Sequence, residues 1–148
     1  MITVKKFVNE VACLSAREIE ASMADNCRQY IQGDLQRPQN LPFILNTRSE
    51  IGISYYREFT HDDPHYHDEI TETNYVLEGK VCLKVLDTGA EYVIEKGGIF
   101  SIPPRIVHVF KAQPETKILF MKDHALNDKH VVDPAPLNLE NWLNDKEF

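Results

Sequence analysis

HDDPHYHDEITETNYVLEG, residues 61–79, decides what kind of protein this is. His65 and His67 lie two apart, and in a β-strand residues i and i+2 project from the same face. Both imidazoles can therefore aim at one point. Glu72 follows after a four-residue gap, long enough for a bend that returns its carboxylate to that point. A third imidazole waits downstream at His108, in GGIFSIPPRIVHVF, residues 97–110. Three imidazoles and one carboxylate form a mixed N/O donor set. It suits a divalent transition metal, Fe(II), Mn(II), Ni(II) or Zn(II), with positions left open for water or substrate. A lone histidine pair in a strand is more often an ordinary polar feature. Four residues of ligand type make the metal reading the stronger one.

Outward from this stretch the chain reads as short strands. Residues 51–60, IGISYYREFT, are rich in β-branched and aromatic residues. Strands are expected again over 65–66, 72–77, 80–86, 91–96, 99–103, 107–112 and 117–122. Glu78-Gly79 is read as a hairpin turn, and Pro103-Pro104 as a break in the ladder. Many short strands at regular spacing mean a barrel or sandwich. Upstream, Ile2 and Val4 begin a short strand or arm. Ser15 and Glu18 form a capping box. Ile19, Met23, Cys27, Tyr30 and Ile31 recur at helical spacing, which predicts a helix over 15–32 capped by Gly33. LPFIL, residues 41–45, is a short strand or a plug. In the tail, LNLENWLND reads as a short helix whose Trp142 docks on the body or on a partner.

The spacing H-x-H-x4-E-x6-G over 65–79 resembles the first signature of the cupin family, without a gap. The second signature, G-x5-P-x-G-x2-H-x3-N, is matched in register by Gly97, Pro103 and His108. Arg105 stands where a glycine is usual and Ala112 where an asparagine is usual. The resemblance covers roughly residues 50–122. It implies an all-β fold, a cupin or jelly-roll β-barrel (double-stranded β-helix), here with an added N-terminal α-helix. It also implies an interior metal held by His65, His67, Glu72 and His108. It does not imply one activity, because a fold hosts many functions. With no internal repeat, one single-barrel domain over 1–148 is expected: an N-terminal helix and arm (1–49), the barrel (50–122) and a tail (123–148).

Parity extends the site. If Glu72 faces inward, so do Asn74 and Val76, while Thr73, Tyr75 and Leu77 face outward. Asn74 becomes a polar wall residue for substrate, and Phe110, two from His108, an apolar one. Tyr75 and Leu77 then need cover, from the helix or a second subunit, and a homodimer is expected. Arg105, in the loop leading to His108, is a candidate for holding a carboxylate or phosphate at the mouth; a surface ion pair is the alternative. Arg57 and Lys84 are weaker candidates. His61 is read as a loop residue, His124 and His130 as exposed. Tyr55, Tyr56 and Tyr75 are read as packing rather than as acids.

The 148 residues carry a formal net charge of −7 with 43% hydrophobic and 26% charged residues. That balance suits a globular core and argues against nucleic acid or an anionic membrane as a partner. No apolar run approaches a membrane span, and the first residues lack a signal-peptide core, so a cytoplasmic protein is expected. Cys13, Cys27 and Cys82 are odd in number and irregularly spaced, which fits reduced thiols. Nucleophile-elbow, P-loop and dinucleotide fingerprints are absent. The expectation is a metal-dependent enzyme on a small oxygenated metabolite, either a sugar or sugar phosphate isomerase or an organic-acid dioxygenase. The alternative is a non-catalytic cupin that binds or senses a small molecule such as a carbohydrate.

Overall fold

A computed structural model describes residues 5–148, so Ile2 and Val4 lie outside it. In chain order the elements are β1 (Lys6–Phe7), α1 (Ala16–Ser22), β2 (Arg28–Gly33), β3 (Phe43–Leu45), β4 (Glu50–Tyr56), β5 (Thr60–His61), β6 (His65–His67) and β7 (Glu72–Glu78). They continue with β8 (Lys80–Val85), β9 (Glu91–Glu95), β10 (Ile99–Ile102), β11 (His108–Ala112), β12 (Thr116–Lys122), β13 (Lys129–Val131) and α2 (Glu140–Asn144). One sheet runs β1-β3-β2-β4-β12-β7-β10; the other runs β13-β6-β11-β8-β9, with β5 also on β11. Val76 and Ile118 from the first sheet meet Val81 and Ala112 from the second in a core cluster, all at most 3% exposed. The two sheets therefore close on each other at that end, as an all-β jelly roll requires.

The helix is where expectation and structure part. Its start is as read: Glu18 N–H donates to Ser15 Oγ (3.1 Å) and Ser15 N–H to Glu18 Oε2 (2.7 Å). It stops at Ser22, and residues 28–33 form a strand antiparallel to β4, with Arg28 opposite Ser54 and Tyr30 opposite Gly52. Cys27, Tyr30 and Ile31 satisfy helical spacing, but β4 offers an open ladder, and tertiary pairing overrides so weak a local preference. Arg57 closes the shortened helix by donating from Nη2 to the Met23 carbonyl at 2.6 Å. That role, and its place over the Tyr55 ring, occupy Arg57 away from any ligand.

Gly79 is not a hairpin turn. β7 and β8 belong to different sheets, and Gly79, at φ +83°, turns the corner between them. Thr116 stitches this corner, donating from Oγ1 to the Gln113 carbonyl (2.7 Å) and accepting from Lys80 N–H (3.2 Å).

The tail packs against the outer face of β11. Lys111, 2% exposed, donates from Nζ to the carbonyls of Trp142 (2.7 Å) and Asp145 (2.8 Å) and lies 4.2 Å from the Trp142 ring centre. Trp142 in turn donates to Glu91 (2.5 Å). Lys84 sits 5.7 Å from the same ring, on the outside of the sheet. No helix among the described residues is long and apolar enough to cross a membrane.

Candidate metal centre and substrate cavity

β6 is only three residues long, with both histidines buried and Tyr66 between them half-buried. The strand geometry thus delivers the i, i+2 convergence. Ligand atoms of His65, His67 and Glu72 all lie within 4.8 Å of one another. Glu72 opens β7, opposite Ile102 of β10 and Lys122 of β12. His108 pairs with His65 across the β11–β6 ladder. Its ring centre is 4.3 Å from that of His65 and 6.4 Å from that of His67. It lines the same cavity but stands outside the tight three-residue cluster.

The hydrogen bonds decide which nitrogens are available. Nδ1 of His65 meets the Asp63 carbonyl at 2.8 Å, and Nδ1 of His108 meets the Ile106 carbonyl at 2.8 Å. A carbonyl can only accept, so both Nδ1 atoms carry the proton. Nδ1 of His67 faces Asp128 Oδ1 at 2.9 Å. In all three rings Nε2 is left as the free nitrogen. This is the outer arrangement that orients imidazoles for a metal. Burial pushes His65 down to about 4, with the His108 charge adding to it, and burial also lowers His108. Both rings are therefore neutral near pH 7, with lone pairs free to coordinate. Burial holds the Asp62 carboxyl well above the usual range; its Oδ1 accepts from Phe110 N–H at 2.8 Å. Burial would raise Asp128 too, but hydrogen bonds from Glu69 N–H and from His67 hold it below the ordinary value.

These residues line a cavity of about 90 Å³ that opens to solvent at its mouth. Asn74, 7% exposed, and Phe110 line it as parity predicts, and Tyr56 joins them. Val76 drops into the core beneath. Tyr75 points outward, as parity requires, and is 37% exposed. Arg105 is exposed and is not among the residues that line the cavity. Its backbone accounts for the position. Arg105 has φ +65°, the left-handed conformation that favours glycine, and its N–H donates to the His67 carbonyl at 2.6 Å. Arg105→Gly is therefore expected to raise stability by about 0.5–1 kcal/mol, read as a shift in the denaturant midpoint; an unchanged or lowered midpoint would count against strain at this position. His61, His124 and His130 lie outside the cavity lining: His130 Nε2 meets Asp68 (2.7 Å), and His124 meets Asp123 (2.8 Å).

Three contributors escaped the sequence reading. Lys129 opens the tail strand β13, Asp128 lies just before it, and Arg28 opens β2; Lys129 and Arg28 line the cavity, and Asp128 holds His67. No local pattern signals any of them, because each reaches the site only through strand pairing.

Residues 58–121 match the cupin domain family. No curated protein matches by sequence. Among solved structures, KdgF from Halomonas sp. is similar at 14% identity and TM-score 0.51, over 66% of this chain and 77% of its own. The structure described as DMSP lyases RdDddP and RnDddQII is similar at 14% identity and TM-score 0.57, over 72% and 52%. The Streptomyces protein PAC13, with uridine, is similar at 11% identity and TM-score 0.52, over 60% and 71%. At such identities the likeness is one of fold. The family match over residues 58–121, the all-β jelly-roll architecture and the His/His/Glu cluster agree, and that stretch is a cupin-type domain.

Proposed function

We propose that this cupin holds one divalent transition metal (Fe, Mn, Ni or Zn) through His65, His67, Glu72 and His108. We propose further that it acts on a small oxygenated metabolite in the cavity beside it. The observation that carries this reading is the commitment of all three Nδ1 atoms to acceptors, which leaves every Nε2 free in one cavity beside Glu72. A metal bound there supplies Lewis acidity to a substrate oxygen. The chain's own part is to bind and orient: Asn74 offers an amide to a substrate oxygen, Phe110 an apolar wall, and the closed end excludes water. Isomerisation of a sugar or sugar phosphate, or oxidation of an organic acid, are the reaction types proposed. The enzymatic reading gains support from neighbours whose names are those of a lyase and a nucleoside dehydratase.

Elemental analysis of purified protein is expected to find one metal per chain, and mass spectrometry a co-purifying small molecule. Substoichiometric metal after reloading would sink the proposal. Turnover separates an enzyme from a binding or sensing module. Asp128→Ala is expected to weaken metal binding about 10–100-fold, because His67 loses the group that sets its tautomer. Asp128→Asn, which keeps an acceptor oxygen, should recover part of that loss. Equal affinities for all three proteins, measured against a chromophoric chelator, would remove Asp128 from this role.

The homodimer belongs to the same proposal. Tyr75 of β7 lies opposite Ile99 of β10, and the two are 37% and 60% exposed. A second copy covering this outer face would bury them, and sedimentation equilibrium reads the result.

A further inference from the structure

The walls of the cavity differ in chemistry. One carries the histidines and Asp62, and Glu72 of β7 stands on the other, next to β12. The other is built by β2, β4 and β12, where Arg28, Ser54 and Ile118 lie in one row across the ladder. Arg28 donates from Nε to Ser54 Oγ at 3.0 Å and reaches Tyr56 Oη from Nη2 at 3.4 Å. Its guanidinium carbon lies 5.2 Å from the centre of the Phe120 ring. Two hydroxyls and an aromatic face thus hold the side chain in place while the residue stays exposed and lines the cavity. Among the described residues no carboxylate pairs with it. Lys122, the other cation beside Phe120, is already matched by Glu50 at 3.4 Å.

A guanidinium has five N–H donors in a fixed fork. Arg28 spends two on the neutral oxygens of Ser54 and Tyr56 and lines the cavity with donors to spare. We infer that Arg28 anchors an anionic oxygen group, a carboxylate or a phosphate monoester, on the metabolite whose other end lies at the histidine cluster. The inference rests on the proposed metal-dependent reading and narrows its substrate to anions. Pre-positioning by Ser54, Tyr56 and Phe120 lowers the ordering cost that a flexible surface arginine would incur on binding. A charge-assisted, bidentate contact then discriminates the anion from its neutral isostere.

Paired isosteres test this on full-length, metal-loaded protein by calorimetry. The probes are ω-hydroxycarboxylates of two to five carbons beside their amides, and glycerol 3-phosphate beside glycerol. At least one anion is expected to bind wild type tenfold or more tighter than its neutral partner. In Arg28→Gln that preference should fall below threefold, with affinity for the neutral partner and metal content unchanged, and Arg28→Lys should fall between. The carboxylate and phosphate arms show which group is read. No anion binding, no preference for any anion in wild type, or an undiminished preference in Arg28→Gln and Arg28→Lys would overturn the proposal. Metal stoichiometry, measured on the same samples, reports separately on the metal reading, so either can fail alone.

Discussion

Replacing His67 by alanine is expected to lower metal affinity by more than about 100-fold, since losing even an outer partner of a ligand costs 10–100-fold. His67 is the ring with the most elaborate support. It is 5% exposed, Asp128 holds its Nδ1, Arg105 N–H holds its carbonyl, and its strand pairs with β13 through Lys129. None of this orientation is needed for a histidine that merely fills space. The fold should survive the change, because β6 keeps its pairing and Asp128 keeps the Glu69 N–H as a donor (2.8 Å). Circular dichroism should therefore be unchanged while a chelator strips the metal from the variant at concentrations that spare wild type. A variant that retains stoichiometric metal at wild-type affinity would show that the cluster is not a metal centre.

The second large effect lies in the fold. Gly79→Ala is expected to cost about 3 kcal/mol. A Cβ at this position meets the Thr116 Cα at 2.6 Å and the Thr116 Oγ1 at 2.3 Å. Backbone cannot step aside as a flexible side-chain end can, and overpacking of this kind costs about 1–3 kcal/mol. The residue also sits at φ +83°, which adds about 1–2 kcal/mol for any residue with a Cβ. Thr116 is fully buried and stitches the corner where the chain leaves one sheet for the other, so the clash falls on the closed end of the barrel. Thermal unfolding should report a drop of roughly 6–12 °C. A drop under 2 °C would mean that the corner relaxes freely and that the two sheets are less tightly joined than their contacts indicate.

Gly79 also shows how one residue can be read correctly in kind and wrongly in place. The sequence calls for a turn there, and a turn exists. Whether it joins neighbours in one sheet or passes between two depends on where β12 and β8 sit, and local residues do not encode that. Arg105 is a parallel case. Its position where a glycine is usual is visible in the sequence, and the left-handed backbone at φ +65° is the reason a glycine suits it. The free guanidinium of the cavity belongs instead to Arg28, inside a stretch whose periodicity resembles a helix.

The sequence by itself determined most of the strands between residues 50 and 122, the inward parity of Glu72 and Asn74, and the pattern that brings His65, His67, Glu72 and His108 to one cavity. Alternation along a strand is a local rule: once the chain is extended, it dictates which side chains share a face. Tertiary structure alone decided that residues 28–33 are a strand, that Asp128 reaches His67 across 61 positions, and that a cation faces the histidines across the cavity. Those outcomes depend on which backbone edges find one another. Hydrogen-bond pairing between distant segments carries an energy larger than the small propensity differences within each, so no window of sequence holds the answer.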